Sequence, residues 1–244
     1  MEPEKNYKSF YTKEANTYHS SRYDTLYGRI FRALHQETIG ALIDQARPEG
    51  RVLEVACGTG YTTAYLADMG LDVVATDLTP AMMQKARETC KNHKVEFIET
   101  NALSLPFPEN TFDFVISTRF MHLFPKETQL QLLSEISRVT SSGGYVLVDF
   151  DNRTSRLFLA IPHLVYNLVR YRRVAPDTHY NNVRSLEELF PRAGLTPQHI
   201  FGVAGYHLVA AGIISEKLAI RLGRAHRNGA LRLFSEQLVV LARK

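Results

Sequence analysis

The chain is poor in cysteine, has no long apolar run and carries no histidines at metal-ligand spacing, and each absence removes a class of protein. Its two cysteines, Cys57 and Cys90, stand 33 residues apart. That is neither a disulfide framework nor a metal motif, so two free thiols in a reducing compartment are expected. No stretch of 18 apolar residues occurs, so no transmembrane helix is expected. The opening Met1-Glu2-Pro3-Glu4-Lys5 has no apolar core behind it, so no secretory leader is expected and the cytoplasm is the expected location. The nine histidines are scattered, and no metal is expected. Internal repeats and low-complexity segments are absent as well.

What is present is the composition of an ordinary folded domain. Hydrophobic residues make up 45% and charged residues 22% of 244, enough chain to bury a substantial core. One domain is expected over 1–244, with an N-terminal helical segment (1–49), a core (50–150) and a second half (151–244). Residues 151–244 hold 14 Lys/Arg against 6 Asp/Glu, whereas residues 1–150 hold 15 against 19. Arg170, Arg172 and Arg173 cluster, and Arg221, Arg224 and Arg227 recur at helical spacing. A solvated helix face is the plain explanation; an anionic substrate, an acidic membrane surface and RNA are the alternatives.

Periodicity orders the elements. Residues 7–20 and 27–46 read as helices, the second with Ile30, Phe31, Leu34, Ile39, Leu42 and Ile43 on one stripe. Strands at 51–56, 72–77, 95–98, 112–117 and 145–150 alternate with helices at 61–69, 80–92 and 126–140. Such alternation predicts a doubly wound α/β fold, a parallel sheet with helices on both faces. Beyond Asp151 the pattern loosens into helices at 154–173 and 185–193, the latter capped by Ser185 with Glu188 three later, and strands at 197–203 and Gln237–Ala242. A helical insert is expected at 204–234. Its apolar residues, among them Leu208, Ile213, Ile214, Leu218 and Leu222, are spread all round, which predicts burial; a substrate cap or an interfacial helix on lipid are the alternatives.

One stretch carries the chemistry. The run Arg51-Val52-Leu53-Glu54-Val55 feeds the turn Ala56-Cys57-Gly58-Thr59-Gly60, and a helical pattern follows from Tyr61 to Met69. A second apolar run, Val73 to Thr76, ends in Asp77, 17 residues after Gly60. This strand–turn–helix–strand unit has a nucleoside-sized crevice at its top. Glycine at 58 and 60 lets backbone approach a ligand where a Cβ would clash. Asp77, at a strand tip, is placed to accept hydrogen bonds from ribose hydroxyls. A dinucleotide fingerprint needs a third glycine, but that position holds Thr63 counted from Gly58, or Tyr61 counted from Ala56. No Gly-Lys-Ser/Thr sequence provides a P-loop lysine.

The Glu-x-Ala-Cys-Gly-x-Gly turn with its later acid resembles the S-adenosyl-L-methionine site of the class I, Rossmann-like methyltransferases, whose first turn glycine is sometimes alanine, as at Ala56. Asp77-Leu78-Thr79-Pro80-Ala81-Met82-Met83 resembles the second motif of that family, with Thr79 as N-cap and Pro80 at the first helical position. Phe97 to Phe107 resembles the adenine-contacting loop, with Asn101 where the family commonly has Asp. Phe112–Ser117 resembles the fourth strand, and Leu132 to Val139 with Ser142-Gly143-Gly144 the helix and turn before the fifth, so the match covers 51–150.

The resemblance implies a seven-stranded, mostly parallel sheet with an antiparallel last strand and an N-terminal helical lid. It implies S-adenosyl-L-methionine as methyl donor and S-adenosyl-L-homocysteine as product. Gly58 and Gly60, in the turn with Ala56 and Cys57, would admit the methionine part and ribose. Glu54 would orient the turn or hold the ammonium through water. Asp77 would take the ribose diol, and Leu78, Met82 and Leu103 would sandwich adenine. Asn101 would accept from the adenine amino group while the Ala102 N–H donates to the ring. Tyr18 and Arg22, four apart and on one face of a helix, would reach the carboxylate.

Thr118-Arg119-Phe120-Met121-His122-Leu123-Phe124 follows the fourth strand and would face the transferable methyl. Thr118 is a candidate cofactor contact. His122 is a candidate general base, with packing against the next helix as the alternative, and Arg119 a candidate partner for an anionic substrate group. Asp149, Asp151 and Asn152 end the fifth strand on the same side, and His163, His179, Tyr180 and His207 lie in segments able to roof a pocket. Leu157–Tyr166 and 206–214 are apolar and aromatic, which points to a small flat or greasy acceptor methylated at oxygen, carbon or nitrogen. No Asn-Pro-Pro-Tyr-type motif follows the fourth strand, which disfavours nucleic acid as a partner. An RNA-modifying enzyme and an S-adenosylmethionine-binding protein without methyl transfer stay as alternatives. Peripheral membrane contact and oligomeric state are left open.

Overall fold

The computed structural model describes residues 2–154, 178–205 and 208–244. The expected helix at 154–173, the Leu157–Tyr166 stretch, His163, the Arg170–Arg173 cluster, Tyr206 and His207 lie mostly or wholly outside the described residues.

The apolar runs are strands: β1 (Arg51–Val55), β2 (Asp72–Asp77), β3 (Val95–Glu99), β4 (Phe112–Ser117), β5 (Thr140–Asp151), β6 (Thr196–Val203) and β7 (Gln237–Arg243). Their order across the sheet is β3-β2-β1-β4-β5-β7-β6. The first five pair in parallel, and β7 runs antiparallel between β5 and β6. This is the expected doubly wound sheet with an antiparallel last strand.

Successive strand residues point to opposite faces, and the two faces bury different partners. Leu53, Val115, Val146 and Val148 pack with Leu132, Leu133 and Ile136 of α6 (Lys126–Val139) and with Leu186 and Phe190 of α7 (Val183–Arg192). Val52, Phe114, Ile116 and Leu147 pack on the other side against α3 (Leu26–Ala46). The predicted stripe of α3 is all buried there. Each such side chain is worth about 1.5–3 kcal/mol, so tertiary packing holds this helix against the sheet. Around these lie α1 (Glu2–Glu14), α2 (Tyr18–Tyr23), α4 (Tyr61–Asp68), α5 (Pro80–Thr89), α8 (Val209–Ile214) and α9 (Glu216–Gly223).

Local expectations are corrected in four places. The helix at 7–20 is two helices, because Thr17 N–H turns back onto the Glu14 carbonyl at 2.9 Å. β5 begins at Thr140, not Tyr145. The Ser142-Gly143-Gly144 stretch lies within the strand, where the register with β4 shifts between Phe112 and Phe114. α7 is capped by Asn182, whose side chain accepts from Ser185 N–H at 2.8 Å while the Ser185 hydroxyl accepts from Asn182 N–H at 2.9 Å. Thr79 occupies the N-cap of α5 without a side-chain bond, and Asp77 accepts from its N–H instead.

Candidate active site

The sheet order reverses direction between β1 and β4, and ligands of such sheets bind beyond the carboxyl ends of the strands at that point. A cavity opens there, about 1430 Å³ with its open mouth and the solvent in it included. The turn after β1, the tip of β2, the loop after β3, the segment after β4 and the inner side of α2 and α3 line it.

The β1 turn is built for close approach. Ala56 and Gly58 both adopt left-handed backbone, φ 60° and 55°. A Cβ on Gly58 would meet nothing within 4 Å, so its face is open to the cavity. Gly60 serves differently from the expectation. At φ 78° it begins α4, and a Cβ there would come 2.7 Å from Ala86 Cα, so this glycine lets α4 pack on α5 and is not among the residues lining the cavity. Asp77 clamps two loops: one carboxylate oxygen accepts from Gly58 N–H at 2.9 Å, the other from Thr79 N–H at 2.8 Å. Burial pushes the Asp77 carboxyl up, and these amides pull against that rise. Glu54 lies beneath the turn, out of the cavity lining and fully enclosed, accepting from the Thr63 hydroxyl. Burial pushes its carboxyl up to about 8, and the nearby Asp77 charge adds to the rise. Cys57 and Cys90 are buried free thiols, both held above the ordinary range by burial.

Leu78, Met82, Ala102 and Leu103 line the cavity with Asn101. The Asn101 side-chain oxygen accepts from Leu103 N–H at 2.9 Å, so this residue shapes its own turn in addition to facing the cavity. Tyr18 lines the cavity, and the Arg22 guanidinium lies 3.8 Å over its ring. Arg22 itself is not among the lining residues, and Glu14 is 4.0 Å from it. Its Nη1 is the atom that faces Glu14, buried and without a hydrogen bond among the described residues.

The rest of the lining is largely apolar and aromatic, with Phe31, Ile39, Tyr65, Phe120, Leu123, Phe124 and Leu132, and with Tyr23 stacked on Tyr61 at 5.8 Å. Thr118 bonds Thr62 there at 3.1 Å. Arg119 enters at φ 57°, an uncommon conformation for a side-chain-bearing residue, held by its N–H donating to Asp149 Oδ1 at 2.7 Å. Burial works against its charge, and Asp151, at 3.4 Å, with Tyr23 and Asp149 more than offsets that. The other Asp149 oxygen holds His35 Nε2 at 2.9 Å. With Nε2 donating to a carboxylate, Nδ1 is the basic nitrogen of a ring that lines the cavity, and it has no partner among the described residues.

His122 is not among the lining residues. It sits on the 3-10 turn Met121–Leu123, its carbonyl accepts from His179 N–H at 2.8 Å, and burial lowers its imidazole pKa. The expected wall at 208–214 is likewise not in the cavity. Asn152 turns away to the Leu233 and Ser235 carbonyls. The lining residues that the sequence did not point to include Phe31, His35, Gln36 and Ile39 of α3, Thr62 and Tyr65 of α4 and Leu132 of α6. Among the described residues no cluster of His, Cys, Asp and Glu is able to hold a metal, and no helix is long and apolar enough to cross a membrane.

Residues 52–144 match the methyltransferase domain family. Demethylmenaquinone methyltransferase of Renibacterium salmoninarum is 37% identical over 120 residues, 49% of this chain and 47% of that protein. A ubiquinone/menaquinone biosynthesis C-methyltransferase of Hahella chejuensis is 28% identical over 222 residues, 80% of this chain and 85% of that protein. The chain spans about half the length of the first of these and of a similar relative from Beutenbergia cavernae. Magnesium protoporphyrin IX methyltransferase from Synechocystis, solved with S-adenosylhomocysteine, superposes with a TM-score of 0.65 at 15% identity, covering 97% of this chain and 99% of that one. The fold is thus that of the class I, S-adenosylmethionine-dependent methyltransferases. The likeness to the methyltransferase domain lies in residues 52–144.

Proposed function

We propose that this protein moves a methyl group from S-adenosylmethionine to a small apolar or aromatic acceptor, at oxygen, carbon or nitrogen. The observation that carries the proposal is one cavity lined both by a left-handed glycine turn clamped by Asp77 and by aromatic side chains beside a His35–Asp149 pair. The cofactor supplies a methyl already activated on a sulfonium, so the protein's task is to bind, aim and exclude water.

The residues present fit that group. The open face of Gly58 accepts a close ligand, and Asp77 keeps lone pairs for a ribose diol beside its two amide donors. Arg22, beside the cavity with its guanidinium over Tyr18, would have to exchange its Glu14 contact for the cofactor carboxylate. Leu78, Met82 and Leu103 suit a flat base. In this reading α1 to α3 form the lid and 50–150 the cofactor core, and the acceptor lies between α3 and the segment after β4, since no described residue of 151–244 lines the cavity. His35, aimed by Asp149, replaces His122 as the group that takes a proton from the acceptor at Nδ1. Arg119 stands beside it as a positive charge for an oxyanion or acidic acceptor. The likeness to the demethylmenaquinone and ubiquinone/menaquinone methyltransferases makes a quinol-type acceptor the first to try.

Calorimetric titration with S-adenosylhomocysteine, with NADH as control, tests the proposal. Micromolar binding of the first alone is expected. Binding of NADH instead, or of neither, overturns it.

A further inference from the structure

We infer that α8 and α9 form a docking surface for an anionic lipid bilayer. Their packing is inverted relative to an ordinary surface helix, which buries its large aliphatic side chains. The small residues face α3: a Cβ on Gly212 would come 2.4 Å from Ile30 Cδ1, one on Gly223 2.4 Å from Leu34 Cδ1, and Ala219 is fully buried. The large ones face water. Ile213 is 75% exposed, Ile214 80%, Leu218 39% and Leu222 47%. The chain then runs through short 3-10 turns, the last of which exposes Leu231, Leu233 and Phe234.

Rolling the large side chains inward is opposed by the close approach at Gly212 and Gly223, which leaves no room for them, and ion pairs tie the unit to α3. Arg29 holds Glu216, and Arg224 and Arg227 both hold Glu37. Those pairs occupy the one acid of α9, Glu216. Lys217 and Arg221, four apart and exposed beside Leu218 and Leu222, have no ion-pair partner among the described residues. Exposed aliphatics flanked by unpaired cations match a bilayer with acidic headgroups. A second copy docking face to face would gather four cations with no acid to pair them, which disfavours a dimer here.

The docking needs no methyl-transfer chemistry. Its consequence for the acceptor does rest on the proposed function: α3 packs against the buried side of α8 and α9 and also lines the cavity, so the cavity lies one helix away from the docking surface and the acceptor would be one dissolved in the bilayer.

The test is sedimentation of the full chain with vesicles of phosphatidylcholine alone and of equimolar phosphatidylcholine and phosphatidylglycerol. Binding to the second only, weakened by salt, is expected. Ile213→Ser with Ile214→Ser, and separately Lys217→Glu with Arg221→Glu, should each lower partitioning about tenfold or more while S-adenosylhomocysteine binding stays unchanged. No binding to the anionic vesicles, or full binding by the serine variant, overturns the inference. Vesicle-free dimers lost in the serine variant would assign the face to a second copy and overturn it too. Vesicle binding without any S-adenosylhomocysteine binding would leave the docking surface standing and sink the methyltransferase proposal.

Discussion

Replacing Glu54 by Gln should remove most of a fall in stability that the wild-type protein shows between pH 4.5 and 8. Glu54 is enclosed beneath the β1 turn, and burial raises its carboxyl from 4.5 to about 8 in the folded state. Below that window both folded and unfolded chains hold the proton. Within it the unfolded chain has released the proton and the folded chain has not. Unfolding therefore becomes easier as pH rises, by about 1.4 kcal/mol per pH unit. Carried across the window this reaches a ceiling of about 5 kcal/mol, which local relaxation reduces to a few. Gln keeps an oxygen for the Thr63 hydroxyl and has no proton to lose. Urea unfolding of both proteins across the window is the assay. Asp77 and His122 also titrate differently on folding, but they do so in both proteins, so the difference between the two curves isolates Glu54. The wild-type should lose ground to the variant steadily from the acid end to the alkaline end. Parallel curves would refute a raised Glu54.

Other perturbations separate the roles of the cavity residues. His35→Gln should lower methyl transfer about 10²–10⁴-fold with S-adenosylhomocysteine affinity unchanged, as measured by calorimetry and a coupled assay; full activity would return the base role to another group. Asp77→Asn keeps a side-chain oxygen but loses the charge that both Gly58 and Thr79 amides point at, so cofactor affinity should drop about tenfold or more. Ala56→Gly relieves a left-handed alanine and should raise stability by about 0.5–1 kcal/mol in thermal unfolding; a lower melting temperature would count against strain there. Gly60→Ala should destabilise by about 2–3 kcal/mol, because its Cβ meets the Ala86 backbone, whereas Gly58→Ala should cost about 1 kcal/mol and act chiefly on ligand affinity.

The core of the fold was legible because its determinants are local. Buried parallel strands read as apolar runs, and the glycine turn with Asp77 sits inside one such unit. His35 was not legible, since a histidine beside an apolar stripe looks structural and its partner Asp149 is 114 residues away. Only the sheet brings them together. Ser142-Gly143-Gly144 has turn composition, and the pairing of β5 with β4 overrides it. The outward face of α8 and α9 has its own signal: Ala219 and Gly223 stand four apart in α9, with Gly212 in α8, and small residues mark the side that approaches another helix. The apolar residues alone, spread all round, pointed to burial. His122 carried a familiar position after β4, but its 3-10 turn leaves it off the described cavity wall.

The position of β7 bears on how the protein is made. It is the last of the seven strands to leave the ribosome, yet it sits between β5 and β6 and pairs with both. Until it emerges, β5 presents a long unpaired edge flanked by Val146, Leu147, Val148 and Phe150, the kind of edge that recruits other chains. At about 5–20 residues per second, synthesis of residues 152–243 keeps that edge open for roughly 5–20 s. β6 is made during this interval with no strand to join. A ribosome that stalls or terminates before Gln237 thus releases a nascent chain with two orphan strand edges, so the sheet's last stitch is also the point at which its biogenesis is most exposed to aggregation.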